Sequence, residues 1–325
     1  MSRETLIYAG IDEAGYGPML GPLCVGASVF EVFDHTPAQG APDLWQRLDR
    51  VCCRAGEDRD GRIAVDDSKK LLGARSGKLH PLRRLERGVH GFLPGDALPS
   101  TDTRLFDSLG TTPGRHAWYT SETALPLSTD HDEMQVLRAR LHRSLEQAGV
   151  RCTLIRCEAV DPREFNHEFS RMGSKADINF RAAMRLVEQI WKQHPTSHPR
   201  VILDRHGGRT RYLAPLRLAY PDATIQVLAE SPAISRYRIH IGDRELTISF
   251  AKEAEQSHFP VALASMTAKY IRELHMLRLN RFFQTHLPEL KPTAGYVQDG
   301  RRFLRDVQPI LERLSISRDN LVRNA

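Results

Sequence analysis

The amino-acid sequence predicts an α/β protein: a mixed β-sheet flanked by helices, with a C-terminal helical extension. Short segments rich in apolar and β-branched residues, such as residues 23–33 and 201–204, have the character of strands. Between them lie longer segments with apolar residues three and four apart, of which residues 177–192 are the clearest helix. A chain of 325 residues can bury a sizeable core. We expect one enlarged domain over residues 1–274, with the extension over residues 275–325 packed on it.

Composition argues against several classes of protein. Apolar residues make up 41% and charged residues 26% of the chain, and no apolar run approaches the length needed to cross a bilayer. The five cysteines, with Cys52 and Cys53 adjacent and no Cys-x-x-Cys, match neither a disulfide framework nor a zinc motif. Arg3 and Glu4 lead directly into a strand-like segment, unlike a signal peptide. We therefore expect a cytoplasmic protein without membrane association. The net charge of +6 suits a polyanionic partner without establishing one.

The first predicted element is a hairpin over residues 6–33 that carries two acidic residues at its turn. Neighbouring side chains of a strand point to opposite faces, so Asp12 and Glu13 can bind one ligand only where the strand ends or bends. Gly15 and Gly17 permit such a bend, because glycine adopts positive φ at little steric cost. A strand that leaves the core through a solvated acidic turn is an equally good interpretation of these residues alone.

The middle of the chain predicts a capped helix followed by a strand. Asp130 and Glu133 form a capping box that begins the helix, and Gly149 ends it. Residues 152–160 then predict a strand. The apolar face of the helix is expected to contain Val136, Leu137, Leu141, Leu145 and Ala148.

A second strand that ends in a carboxylate is predicted at residues 201–204. A strand end would hold Asp204 rigidly as a metal ligand, and Gly207 and Gly208 would leave room for a substrate. His206 beside them could assist proton transfer, although a loop histidine near basic residues is more often solvated.

The last third of the chain predicts a strand, a hairpin and several helices. The strand covers residues 224–229 and the hairpin residues 236–250. A helix over residues 261–274 has Pro260 well placed in its first turn, and further helices follow from residue 276. A helix in that region is expected to bury Phe303, Leu304, Val307, Ile310 and Leu314.

Three motifs resemble those of one enzyme family. Residues 12–22, Asp-Glu-Ala-Gly-Tyr-Gly-Pro-x-x-Gly-Pro, resemble the first motif of the type 2 ribonucleases H, the ribonuclease HII family. Residues 67–71, Asp-Ser-Lys-Lys-Leu, resemble its second motif, and Ala-Ser-Met-Thr-Ala-Lys at residues 264–269 resembles one of its helices. The resemblance implies a ribonuclease H-like mixed sheet.

Members of that family cross three regions in fewer residues than this chain does. We therefore expect insertions around residues 34–64, 73–128 and 230–250. The first of these is rich in proline, glycine and charge, and predicts a loop with a short helix near residues 44–51. The second has no clear counterpart in the family.

The resemblance also implies a catalytic site. Asp12, Glu13 and Asp204 match three of the family's catalytic carboxylates. The fourth stands ten residues before the serine of the matched helix, a position that Glu255 occupies here, with Glu253 as the competing candidate. Four such carboxylates would repel one another without a cation, and all-oxygen sites favour Mg²⁺ or Mn²⁺. The implied cofactor is a pair of these ions about 4 Å apart, with Asp12 and Asp204 shared between them.

The remaining matched residues are expected to bind substrate. Lysines would position backbone phosphates, and the glycine turn would bring main-chain groups close to a ribose 2′-hydroxyl. A tyrosine would stack on a sugar. The family has arginine where this chain has Tyr16, and that arginine turn reads the junction between ribonucleotide and deoxyribonucleotide, so cleavage at single embedded ribonucleotides is in question. The matched residues are Gly15, Tyr16, Gly17, Lys69, Lys70, Ser265, Lys269 and Tyr296.

The activity implied by the resemblance is hydrolysis of the RNA strand of RNA–DNA hybrids, leaving 5′-phosphate and 3′-hydroxyl ends. The expected partner is nucleic acid, and the protein is expected to act as a monomer. Two alternatives remain open. One is a nuclease of the same fold that acts on branched or single-stranded nucleic acid. The other is a nucleic-acid-binding protein without catalytic activity.

Overall fold

The fold is built on a seven-stranded mixed β-sheet. The computed structural model describes residues 5–57, 61–73, 80–206 and 209–324. The strands in these residues are β1 (Thr5–Ala14), β2 (Leu23–Phe33), β3 (Cys52–Cys53), β4 (Ile63–Ala64), β5 (Val150–Val160), β6 (Arg200–Asp204), β7 (Thr224–Glu230), β8 (Ile234–Ile241) and β9 (Arg244–Ala251). The large sheet has the order β5-β2-β1-β6-β9-β8-β7, and β3 pairs with β4 apart from it.

The central pairs of the sheet are parallel and the outer pairs are antiparallel. β1 runs parallel to β6, and β6 runs parallel to β9. The outer pairs β1–β2, β2–β5, β8–β9 and β7–β8 are antiparallel. The predicted mixed sheet and the hairpin over residues 6–33 are confirmed. Asp12 and Glu13 belong to the last residues of β1 rather than to the turn, so the backbone holds both of them in the sheet.

Helices flank the sheet on both faces, as predicted. The helices are α1 (Leu44–Arg47), α2 (Ser68–Gly73), α3 (Arg83–Phe92), α4 (Asp102–Leu109), α5 (His131–Gln147), α6 (Pro162–Met172), α7 (Lys175–Gln193), α8 (Leu213–Ala219), α9 (Phe259–His286) and α10 (Val297–Arg313). The cap predicted at Asp130 is confirmed, because its side chain accepts hydrogen bonds from the peptide N–H groups of Asp132 and Glu133.

Helix α9 lies directly on the strands that carry the acidic pair. A Cβ atom at Gly10 of β1 would stand 2.2 Å from the carbonyl carbon of Pro260, and one at Gly26 of β2 would stand 2.3 Å from the oxygen of Ala264. Only glycine at these two strand positions lets the helix backbone approach so closely. The start of α9 is thereby fixed against β1 and β2.

The opposite face of the sheet is covered by α7. Its buried residues, among them Val187 and Trp191, pack with Val201 of β6 and Phe250 of β9 in one apolar cluster. This confirms the amphipathic helix predicted over residues 177–192. A separate apolar cluster joins the second half of α9 to α10.

The segment expected to be an insertion at residues 73–128 contains α3 and α4, and buried charges attach these helices to α9. Glu86 of α3 accepts a hydrogen bond from the hydroxyl of Tyr270 at 3.1 Å. Asp102 of α4 accepts one from Nε of Arg278 at 2.7 Å. Because both partners lie far away in the sequence, periodicity within the segment does not reveal this packing.

Two predicted apolar faces are rotated relative to the observed ones. Val136 of α5 is 61% exposed, whereas Met134 is buried, because the buried stripe follows residues 134, 137, 141 and 145. Leu314 is 38% exposed and Leu311 takes its place in the core. Leu314 is already the C-cap residue of α10, where the chain leaves the helix axis.

Helix α9 is longer than the predicted segment over residues 261–274, since it continues to His286. The division expected between residues 274 and 275 falls inside this helix and stays a prediction. None of the described helices combines the length and the apolar character that a bilayer-crossing segment requires.

Candidate active site

Three neighbouring parallel strands bring acidic side chains to one edge of the sheet. In the register of β1 and β6, Ile11 pairs with Leu203, so Asp12 and Asp204 are the next residues along their strands. Asp204 also pairs with Ala251 at the end of β9, and a short 3₁₀ turn over residues 254–256 follows with Glu255. The carboxyl ends of parallel strands are where α/β sheets commonly bind ligands.

Asp12 and Asp204 are held by peptide N–H groups at this edge. Oδ1 of Asp12 accepts a hydrogen bond from the N–H of Glu13 at 2.8 Å, and Oδ1 of Asp204 accepts one from the N–H of Ala254 at 3.1 Å. Burial raises the pKa of Asp12 well above its ordinary value, and repulsion from Glu13 and Asp204 raises it further. Burial also raises the pKa of Asp204.

Glu13 lies near a buried polar residue that sequence reasoning missed. Burial raises the pKa of Glu13 to about 7, Asp204 adds to the rise, and the amide of Asn179 acts against it. Asn179 lies on α7 and is fully buried. Among the described residues the amide has no hydrogen-bond partner, and a fully buried amide needs one, so it is available to position Glu13. Asn179 stands between two apolar residues of a helix that faces the core, and this position was the signal in the sequence that could have identified it as a site residue.

The structure brings Glu255, rather than Glu253, to the other carboxylates. The pKa of Glu255 is raised by burial first and then by repulsion from Asp204 and Asp67. The side chain of Glu253 is 57% exposed and lies beside Lys252, with 3.8 Å between their charged atoms. Glu253 has a φ of +53°, and this left-handed residue turns the chain after β9 so that Glu255 faces Asp204.

Lys69 is the cation of this cluster. Its positive charge lowers the pKa of Glu13, Asp204 and Glu255 against the larger effect of burial. Beside it, the hydroxyl of Ser68 lies 3.2 Å from that of Ser265 on α9, and Ser265 in turn favours the charged form of Asp12. The second and third sequence motifs thus meet at the carboxylates of the first.

The turn after β1 is fixed by distant residues. Gly15 has a φ of +88°, a conformation that favours glycine. The carbonyl of Gly295 accepts a hydrogen bond from the N–H of Met19 at 2.8 Å. Two buried arginines also donate to this turn, Arg272 to the oxygen of Leu20 at 3.2 Å and Arg323 to the oxygens of Gly15 and Pro18. Sequence reasoning singled out neither arginine.

Several expected substrate-binding residues line this turn. Tyr16 is partly exposed, and burial together with the nearby Glu13 raises its pKa. Gly17 is exposed, with no atom within 4 Å of the place where a Cβ would stand. Tyr296 follows Gly295 at the start of α10 and is 55% exposed. The structure therefore places these side chains beside the carboxylate cluster and its neighbouring loop.

Two of the expected phosphate-binding lysines pair with carboxylates outside the cluster. Nζ of Lys70 lies 3.3 Å from Oδ1 of Asp66, and Nζ of Lys269 lies 2.6 Å from Oε1 of Glu273 on the next turn of α9. Phosphate binding by either lysine stays a prediction.

His206 is buried rather than solvated. Its ring packs against those of Phe180 and Phe250. Burial, with Arg209 nearby, lowers the pKa of His206 to about 4, so the interpretation as a solvated loop histidine is wrong. Gly207 and Gly208, expected to leave room for a substrate, lie outside the described residues.

The donor set fits a divalent cation, although the protein does not supply a complete cage. Among the described residues, no three His, Cys, Asp or Glu side chains are arranged so that they could hold a metal ion by themselves. The pKa values of the four acidic groups are raised, because burial outweighs the effects that favour their charged forms, among them the compensating charge of Lys69. Mg²⁺ commonly binds through one or two carboxylates together with water and substrate phosphate. A site that substrate completes therefore suits these residues.

No protein-family model matches this sequence, and no curated protein is similar to it. Several solved structures are similar to the chain. One is the structure of the PCNA:RNase HII complex from Archaeoglobus fulgidus, which is 15% identical in sequence and has a TM-score of 0.41. The match covers 98% of this chain and 95% of that chain. Ribonuclease H2 from Pyrococcus horikoshii OT3 has 16% identity, coverage of 98% and 94%, and a TM-score of 0.41. Bst-RNase HIII in complex with Mn²⁺ has 12% identity, coverage of 99% and 67%, and a TM-score of 0.43. Solved structures that are similar to this chain thus include those of ribonucleases HII and HIII.

Proposed function

We propose that the protein is a metal-dependent endoribonuclease that hydrolyses the RNA strand of RNA–DNA hybrids. The observation that carries this proposal is the meeting of Asp12, Glu13, Asp204 and Glu255 at the ends of three adjacent strands. These acidic residues come from distant parts of the sequence, and burial makes their charges costly. A cluster of that kind is retained where it binds cations and does chemistry.

Asp12, Glu13, Asp204 and Glu255 would hold Mg²⁺ or Mn²⁺ together with water and substrate phosphate. Such ions, when bound, activate a water molecule and stabilise the oxygen that leaves phosphorus. The peptide N–H groups of Glu13 and Ala254 keep Asp12 and Asp204 in fixed orientations. The buried amide of Asn179 on α7 would position Glu13.

Lys69 would bind the phosphate next to the scissile bond. It is exposed and yet close enough to three of the carboxylates to lower their pKa. An ammonium group is a compact point charge that suits a phosphate oxygen. Ser68 and Ser265, joined at 3.2 Å, tie this lysine's helix to α9 and so keep it at the cluster.

Discrimination of RNA from DNA would fall to the turn after β1. Gly15 permits the left-handed backbone of this turn, and Gly17 leaves its backbone accessible. The 2′-hydroxyl is the group that marks RNA at a given site. Tyr16 can stack and form one hydrogen bond, but it lacks the charged fork of an arginine. We therefore propose cleavage within continuous RNA–DNA hybrids as the main activity.

The test is a digest of labelled substrates with the full chain and either Mg²⁺ or Mn²⁺. We expect the protein to cleave an RNA–DNA hybrid, leaving 5′-phosphate ends, and not to cleave duplex DNA. Cleavage of the hybrid should be lost in EDTA. Asp204→Asn serves as the inactive control. Preferential cleavage of branched or single-stranded nucleic acid would replace the proposed substrate. Binding without any metal-dependent cleavage would show a nucleic-acid-binding protein instead.

A further inference from the structure

One face of the sheet beside the carboxylate cluster is rich in basic residues. Along β8, Tyr237 and Ile239 are buried against α7. Side chains alternate along a strand, so Arg236, Arg238 and His240 lie on the opposite face, where all three are partly or fully exposed. The strand belongs to the segment that the family resemblance marks as an insertion. It therefore adds a cationic row to the sheet.

Arg200 of β6 belongs to the same row. In the register of the sheet, Arg200 pairs with Thr247 of β9, which in turn pairs with Arg238 of β8. We call Arg200, Arg236, Arg238 and His240 the basic sheet face. Arg236 and Arg238 are two residues apart on one strand, about 7 Å, and Arg200 lies two strands away, about 10 Å. These cations cover an area rather than a single point.

The basic sheet face continues from the proposed active site. Asp204 lies on the same face of β6 as Arg200, four residues further along the strand. Across the sheet, Asp204 aligns with Ala251 of β9 and Ile234 of β8. Arg236 is two residues beyond Ile234, which places its Cα about 12 Å from that of Asp204 by ordinary strand spacings. Arg236 is also near enough to His258, beyond the turn that carries Glu255, to lower its pKa.

Charges on this face are only partly compensated. Arg238 pairs with Glu245 at 3.0 Å. Nε of Arg236 instead donates to the hydroxyl of Ser249 at 3.1 Å, and Nη1 of Arg200 donates to the hydroxyl of Thr247 at 3.1 Å. In the described part of the chain, neither of these two guanidinium groups forms an ion pair with a carboxylate. Burial and repulsion from Arg238 and Arg236 lower the pKa of Arg200.

We propose that the basic sheet face binds phosphates of the nucleic-acid backbone outside the scissile site. Cations spread over several residues suit a polyanion with repeated charges better than a single small anion. Their neighbours on the strands are serine and threonine, whose hydroxyls can also donate to phosphate oxygens. The identity of the nucleic acid as a hybrid rests on the proposed function, whereas its binding to this face does not. Contacts here would lengthen the footprint on one side of the carboxylate cluster.

The experiment measures binding of the full chain to a fluorescent 20-base-pair RNA–DNA hybrid in EDTA, where no cleavage occurs, between 50 and 200 mM salt. The variant is R236Q/R238Q. Its matched control is R211Q/R217Q, which removes the same charge on the other side of the sheet. Arg211 lies two residues before α8 and Arg217 lies on it, and both are exposed. A third variant, R236K/R238K, keeps the charge and reports on folding, together with circular dichroism of all four proteins.

We expect R236Q/R238Q to bind more weakly than the parent at 50 mM salt. In a plot of log Kd against log salt concentration, its slope should be less steep than that of the parent by about 2. The ratio of its Kd to that of the parent should then fall about tenfold between 50 and 200 mM salt. R211Q/R217Q should follow the parent, and R236K/R238K should lie close to it. Equal slopes for R236Q/R238Q and R211Q/R217Q would overturn the proposal. A parent that binds the hybrid but never cleaves it would overturn the proposed function alone.

Discussion

The guanidinium of Arg323 donates a hydrogen bond to the carbonyl oxygen of Gly15, 308 residues earlier in the chain. It also donates to Pro18, and its own peptide N–H donates to the oxygen of Met19 at 2.9 Å. Arg323 is buried, with its guanidinium 5.0 Å from the ring centre of Phe165. The turn that follows the acidic pair is therefore held in place from a distant segment.

Replacing Arg323 should loosen this turn. R323Q leaves buried carbonyls without their charged donor, which typically costs about 1 to 3 kcal/mol, and we expect faster amide hydrogen exchange over residues 15–20 than in the parent. Cleavage of an RNA–DNA hybrid should fall mainly through a higher KM. R318Q, at an exposed arginine of the same segment, is the control. Unchanged exchange in R323Q would show that the turn holds its shape alone.

Removal of the Asp204 charge should affect activity and stability in opposite directions. Burial raises the pKa of Asp204, so in the metal-free protein its ionised form is less favourable than it is in the unfolded chain. D204N should therefore raise the metal-free unfolding midpoint while reducing cleavage on the order of 10³-fold, the effect of losing several kcal/mol of transition-state stabilisation. Thermal unfolding with EDTA or Mn²⁺ checks this. Mn²⁺ should raise the midpoint of the parent more than that of D204N.

Glu255 and Glu253 can be separated by a matched pair of variants. Glu255 lies near Asp204 and Lys69, whereas Glu253 pairs with Lys252 and is mostly exposed. E255Q should reduce cleavage at least tenfold and raise the Mn²⁺ concentration needed for half-maximal rate. E253Q, the same chemical change two residues away, should stay within about twofold of the parent, as surface substitutions usually do. A larger loss of cleavage in E253Q than in E255Q would show that Glu253 is the fourth catalytic carboxylate.

Local signals were enough to predict most of the elements. The hairpin that carries Asp12, the cap at Asp130 and the strand that ends in Asp204 each depend on residues a few positions apart. Resemblance to family motifs then supplied the spacing that selected Glu255, which the fold places beside Asp204. Pattern and motif together predicted the sheet, and the roles of the acidic residues stay predictions.

Long-range contacts could not be predicted in this way. Asn179 lies in a segment with the pattern of a core-facing helix, and only the fold shows that its amide is close enough to Glu13 to lower the pKa of that carboxyl group. Arg278 and Asp102 are 176 residues apart, and Arg323 and Gly15 are farther still. Such pairs follow from how elements pack, and a single sequence carries no periodic signal for them.

The Tyr16 position should decide how single embedded ribonucleotides are treated. Tyr16 lies beside Glu13 but cannot form the bidentate contact of an arginine with phosphate. We expect the parent to cleave a duplex with one ribonucleotide far more slowly than a continuous hybrid. Y16R should narrow that difference, and Y16F should leave it unchanged. Equal rates of the parent on both substrates would show that another group reads the junction.

Buried histidines should make stability fall in mild acid. His275 is 2% exposed, stacks on Phe106, and has its pKa lowered to about 4 by burial, with Arg278 adding to the effect. An unfolded histidine has a pKa near 6.5, so between about pH 4 and 6.5 the unfolded chain binds a proton that the folded chain does not. Stability therefore rises with pH across this window and is lost as the pH falls through it.

Urea unfolding at pH 7 and pH 5 measures the contribution of His275. The parent should lose about 2 kcal/mol more between these two values than H275F, since one proton is linked to unfolding over roughly 1.5 pH units. H131Q removes a histidine whose side chain is 54% exposed and should keep the full pH dependence of the parent. The comparison uses the change with pH within each protein, so a general destabilisation of H275F does not affect it. An equal loss in H275F and H131Q would show that His275 takes up its proton without unfolding.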